Sequence, residues 1–130
     1  MRNVYLLLLT LMCFAAVPVH GQQVSRSGNA FLQECSVVDK PLNDLKSSEL
    51  LREDVCLSYV VGLLDGVSLE ISLSRSPDHS ELFPFCVSEQ IRNEELVRIL
   101  LKYIRANPAT ADLRTAELFG SAMKEAFPCK

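Results

Sequence analysis

Residues 47–71, SSELLREDVCLSYVVGLLDGVSLEI, decide the fold class. Leu50, Leu57, Val61, Leu64 and Ile71 recur at steps of three, four or seven, and Val60, Leu63 and Val67 widen the stripe. That period belongs to a helix. Ser47-Ser48-Glu49 opens it: Ser48 is a plausible cap for unpaired backbone N–H groups, and Glu49 suits the positive end of the helix dipole. Apolar residues cover much of the circumference, so this helix is expected at the centre of the molecule. Gly62 and Gly66 lie four apart on one face. Glycine costs a helix about 1 kcal/mol relative to alanine. Two on one face point to another backbone packing closely there; simple tolerance is the alternative.

Shorter elements flank this helix. Upstream, Ser27-Gly28-Asn29 can start a helix that runs from Ala30 to about Cys35, with Phe31 and Leu32 as its apolar part. Val37 to Lys46 carries Pro41, Asn43 and Asp44 and reads as a loop. Downstream, Ser76-Pro77-Asp78 has turn chemistry. A helix then starts near Asn93, with Asn93 as cap, Glu94 and Glu95 in the first turn, and Leu96, Ile99, Leu100, Tyr103 and Ile104 as its stripe. Asn107-Pro108 ends it. A last helix is expected from about Ala111 to Phe127, with Leu113, Ala116, Phe119 or Gly120, Met123 and Phe127 facing inward. Strand-like alternation, repeats and low-complexity stretches are absent from the sequence. The expectation is an all-α fold: a small bundle of one short and three longer helices stapled by two disulfides.

The first 21 residues read differently. Met1, Arg2 and Asn3 form a short basic start, Val4 to Val19 is almost wholly apolar, and Val19-His20-Gly21 suits a cleavage site. This is the layout of a cleaved signal peptide, which leaves residues 22–130 as a single helical domain. A membrane span is the weaker reading, because the run falls short of the roughly 20 residues needed and Pro18 interrupts it. A lipid anchor at Cys13 is disfavoured by the bulk of Met12. Export to the periplasm is the expected localisation, with no membrane span after processing.

Losing Arg2 shifts the formal charge from −3 to −4. That balance argues against nucleic acid, which recruits basic patches, and against anionic lipid. Processing also removes Cys13 and leaves Cys35, Cys56, Cys86 and Cys129. An even number in a small exported chain reads as two disulfides. A zinc site is disfavoured, since no C-x-x-C occurs and only His79 remains beside the cysteines. Sequence alone permits three pairings. Antiparallel helices would bring Cys86, before the helix from Asn93, to the same end as Cys129, after the last helix. That favours Cys86–Cys129, and Cys35–Cys56 then ties the short helix to the long one.

Catalytic signatures are missing: there is no G-x-S-x-G, no H-E-x-x-H and no phosphate loop. His79 beside Asp78 could imitate a base and its orienter, but no partner nucleophile accompanies it, so an exposed loop residue is favoured. Asp65 and Glu70 read as solvated charges. The expectation is a non-enzyme without cofactor or metal. Binding is the better reading. Arg75, Asp78, His79, Glu81 and Phe83 combine charge with an aromatic in one loop, and loops on rigid helices often carry recognition. Phe85 is expected to fold back onto the bundle beside Cys86; for Phe83 both readings stay open.

Several motifs together resemble one family. They are Gly28-Asn29-Ala30-Phe31-Leu32-Gln33-Glu34-Cys35, Cys56-Leu57-Ser58-Tyr59-Val60-Val61-Gly62, Phe85-Cys86-Val87, Glu95-Leu96-Val97-Arg98, Lys102-Tyr103-Ile104-Arg105-Ala106-Asn107-Pro108, and Ala126-Phe127-Pro128-Cys129. The order of these motifs and the four cysteines resemble the Rap/Tai family of periplasmic immunity proteins against type VI secretion amidase effectors. The resemblance spans nearly all of residues 22–130. It implies a small helical protein, often a homodimer, whose protein partner is a secreted peptidoglycan amidase that it blocks by filling the cleft. Ser88, Gln90 and Arg92 stand where the family pattern would have Pro, Gly and Thr, which shifts the expected cap to Asn93. The competing reading is a small periplasmic stress protein or chaperone of the HdeA kind, which would open in acid and bind many clients.

Overall fold

The computed structural model describes residues 27–73, 85–88 and 90–129. Four α-helices occupy them: α1 (Gly28–Cys35), α2 (Ser47–Leu73), α3 (Asn93–Ala106) and α4 (Thr115–Ala126). Short 3-10 turns cover Ser36–Asp39, Leu42–Asp44 and Pro108–Thr110. Among the described residues there is no strand, only two isolated antiparallel bridges, Ser27 with Arg114 and Phe85 with Pro128. The fold is the all-α bundle of one short and three longer helices.

The centre belongs to α3, not α2. Leu96, Val97, Leu100, Leu101 and Ile104 are wholly buried along its inner face. Each such side chain contributes roughly 1.5–3 kcal/mol. The helix touches α1, α2 and α4. In α2, by contrast, Glu53, Cys56 and Val60 are the buried residues of 27. Of its apolar circumference, Leu57, Leu63, Leu64 and Val67 pack half-buried on the core, while Leu51, Val55, Leu69 and Leu73 are left exposed.

Both ends of α1 find hydrogen-bond partners. In α1, the Ser27 hydroxyl accepts from the Ala30 amide at 3.3 Å. The next free donors dock on the loop before α4: Gly28 N–H on the Leu113 carbonyl at 3.1 Å and Asn29 N–H on the Ala111 carbonyl at 2.8 Å. At the other end, the Arg52 guanidinium donates to the carbonyls of Gln33 (3.3 Å) and Glu34 (3.2 Å). Helix termini leave such groups unpaired, and burying them unpaired is costly.

Ser48 is not the cap of α2. The Lys46 carbonyl accepts from Leu50 at 2.9 Å, which puts Lys46 at the cap position. The Glu49 carboxylate reaches back to the Lys46 N–H at 3.0 Å and binds the Lys40 ammonium at 2.6 Å. This is the carboxylate half of a capping box. In α3 the cap position is Arg92 rather than Asn93, and no side chain caps it. The last helix starts at Thr115, later than Ala111, because a 3-10 turn over Pro108–Thr110 and the docking of α1 use the intervening backbone. Its inner face is Thr115, Leu118, Phe119, Ala122 and Met123, while Leu113 and Ala116 are exposed.

Two disulfides close the bundle: Cys35–Cys56 across 21 residues and Cys86–Cys129 across 43. This is the pairing that the antiparallel arrangement favours. The chain-entropy model assigns them about 3 and about 4 kcal/mol.

Candidate interaction face

The open part of α2 follows from its length. At 1.5 Å per residue it runs about 40 Å, against about 21 Å for α3. Its first half packs on the bundle through the Cys35–Cys56 bridge, Val60, and Tyr59, whose ring lies 6.1 Å from that of Phe31. The Tyr59 side chain also hydrogen-bonds Thr115. Burial pushes the Tyr59 phenol above its ordinary value, and the Thr115 bond opposes that shift.

From Val61 onward no residue of α2 is buried. Leu69 is 59 % exposed and Leu73 74 %. Among the described residues, Gly62 and Gly66 meet no other backbone. A Cβ placed on either, or on Gly120 of α4, finds no atom within 4 Å. These glycines, with Leu63, Val67 and Phe119, line a hollow of about 390 Å³ between α2 and α4. Among the described residues the expected close packing is therefore missing, and none of them covers this face. Asp65 and Glu70 are exposed on the same helix half.

An 18-residue window of α2 reaches a mean hydropathy of 1.5, enough by length and composition to cross a membrane. The bridge to Cys35 and the Tyr59–Thr115 bond hold this helix against the bundle instead.

The expected partner-binding residues Arg75, Asp78, His79, Glu81 and Phe83 lie outside the described residues, as does the segment 1–21. Phe85 does fold back: it is 9 % exposed and meets Phe119 edge-on, with ring centroids 6.2 Å apart and planes at 88°. The sequence reading missed two further features. Val37 and Val38, read as loop, are buried, and the Arg98 guanidinium holds the Val38 carbonyl at 3.0 Å from 60 residues away. Arg105 pairs with Asp39 at 2.7 Å beside it. The adjacent valines were the only local signal; the arginines that fix them are remote in sequence. Among the described residues, no cluster of His, Cys, Asp and Glu could hold a metal ion.

What this arrangement offers is a rigid, stapled surface for a protein partner. No curated protein and no solved structure matches the chain. A family model, that of the Rap1a immunity proteins, matches residues 27–129, from the cap of α1 to the last cysteine. That span contains the four described helices and both disulfides, and the chain belongs to the Rap1a immunity protein family.

Proposed function

We propose that this chain is an exported immunity protein that binds a peptidoglycan amidase effector of type VI secretion and blocks its cleft. The family match over residues 27–129 carries this reading. The two disulfides suit an oxidising compartment outside the cytoplasm, and residues 1–21 have the layout of a cleaved signal peptide that would deliver the chain to the periplasm. The bundle blocks by binding and performs no chemistry of its own. Arg75, Asp78, His79, Glu81 and Phe83 are the side chains we assign to the contact. The test pairs calorimetric titration of a candidate amidase with assay of its peptidoglycan cleavage. Binding with loss of cleavage supports the role. Absence of binding, in cells whose sensitivity to the amidase is unchanged by deleting this gene, overturns it.

The open half of α2 favours a second element of this proposal: two copies pair across it. Gly62 and Gly66 would let two such helices cross closely, each covering the other's Leu69 and Leu73. Light scattering of the purified protein should return twice the chain mass. A monomer at micromolar concentration would exclude the pairing.

A further inference from the structure

The two disulfides differ in reach. Cys35 and Cys56 are each 2 % exposed and belong to the hydrophobic core, beside Phe31 and Val60. Cys86 and Cys129 are both exposed. A disulfide opens when a thiolate attacks one of its sulfurs, so access governs which bond exchanges. We propose that Cys86–Cys129 is a thiol-operated latch, and that Cys35–Cys56 is a permanent staple.

The surroundings of the exposed pair fit a latch. Beyond the disulfide, Cys86 N–H donates to the Phe127 carbonyl at 2.8 Å, and Phe85 bridges to Pro128. The packing of α3 on α4 lies elsewhere, in Leu96, Leu100, Ile104, Leu118 and Met123, all buried. Opening the bond therefore leaves the entrance to α3 and the tail after α4 held by the Cys86–Phe127 hydrogen bond, the Phe85–Pro128 bridge and the packing of Phe85 on Phe119, which can loosen while the helices stay packed. The buried pair works the other way: Cys35 ends α1 and Cys56 sits on the packed half of α2, so an attacking thiol reaches them only after those helices separate.

The reductant is a small thiol of the glutathione class, or a protein dithiol. Its thiolate bonds to one sulfur of the pair, the S–S bond breaks, and the other cysteine leaves as thiolate. A second reductant thiolate attacks the mixed disulfide and releases the first cysteine. Two electrons pass to Cys86 and Cys129, the reductant ends as its disulfide, and the cysteine thiolates take up protons according to pH. Oxidised glutathione reverses the sequence. The device belongs to the fold and does not rest on the immunity reading.

The experiment treats the oxidised protein with glutathione, quenches samples with N-ethylmaleimide, and maps the label by mass spectrometry. Cys86 and Cys129 should label faster than Cys35 and Cys56 by at least on the order of tenfold. At that stage the far-ultraviolet helical signal should be unchanged. Hydrogen exchange should rise at residues 85–88 and 127–129 alone, and oxidised glutathione should restore the starting map. Simultaneous labelling of all four cysteines overturns the proposal. So does earlier labelling of Cys35 and Cys56, loss of helical signal as Cys86 and Cys129 open, or failure to re-form the pair.

Discussion

Gly28 and Leu118 approach so closely that no side chain fits between them. A Cβ on Gly28 would collide with a Leu118 methyl and stand 2.8 Å from the Ala111 carbonyl oxygen. The leucine can rotate, but the carbonyl is fixed, because it also accepts from the Asn29 amide. Gly28→Ala should therefore cost roughly 1–3 kcal/mol, as overpacking does. Urea titration should show a lower midpoint with an unchanged slope.

Gly62 and Gly66 should behave oppositely. Both are helical and both face open space. Gly62→Ala and Gly66→Ala should each raise the stability of the isolated chain, by up to about 1 kcal/mol, through helix propensity. If two copies cross at these glycines, the same substitutions weaken association. Denaturation at low concentration and light scattering at high concentration separate the two effects. A gain in stability with undiminished pairing would move the interface elsewhere.

Glu49 should make the start of α2 sensitive to acid. Its hydrogen bond with Lys40, then that with the Lys46 amide, holds its carboxyl below the ordinary value of 4.5. A carboxyl with a lower pKa folded than unfolded stabilises the fold fully above its unfolded value, and that stabilisation disappears as pH falls through the folded value. Glu49→Gln should thus be less stable than the parent at neutral pH and equal to it well below pH 4.5. Thermal melts across that range check the convergence.

Tyr59 sets a limit at the alkaline end. Burial raises its pKa above 10.0. Below that value the phenol is neutral in both states and has no effect; above it the unfolded chain ionises first, so stability falls as pH rises through the folded value. Tyr59→Phe should remove this alkaline loss. At neutral pH it should cost about 1 kcal/mol for the hydrogen bond to Thr115. Melts at neutral and alkaline pH read both.

Much of the bundle could be read from the sequence, because helical period, caps and breakers are local. The four helices lie near their expected places, and antiparallel order correctly paired the cysteines. What failed was the choice of centre. Periodicity counts apolar residues without saying what covers them. Leu50, Val61 and Leu64 belong to the α2 stripe in the sequence but stand exposed or half-buried in the fold, whereas α3, which also carries Arg98, Lys102 and Arg105, is the core. Glycine misled in the same way. Spacing drew attention to Gly62 and Gly66, while the crowded glycine is Gly28, whose neighbours Ala111 and Leu118 are more than 80 residues distant. The face of α2 was legible as apolar, but its openness depends on what the rest of the chain packs against it, and no local pattern encodes that.

The last buried residue of α2 is Val60, and the helix continues to Leu73. Leu63, Leu64 and Val67 still pack half-buried against the core, so the last six residues extend about 9 Å past their final contact. Mechanically this is a short cantilever, clamped at Val67. Bending there is felt most at Leu73, and amide protection should decline from Val67 outward. Anything that seats on the tip would stiffen the whole beam, so occupancy of that remote end would be felt as slower exchange at the clamp.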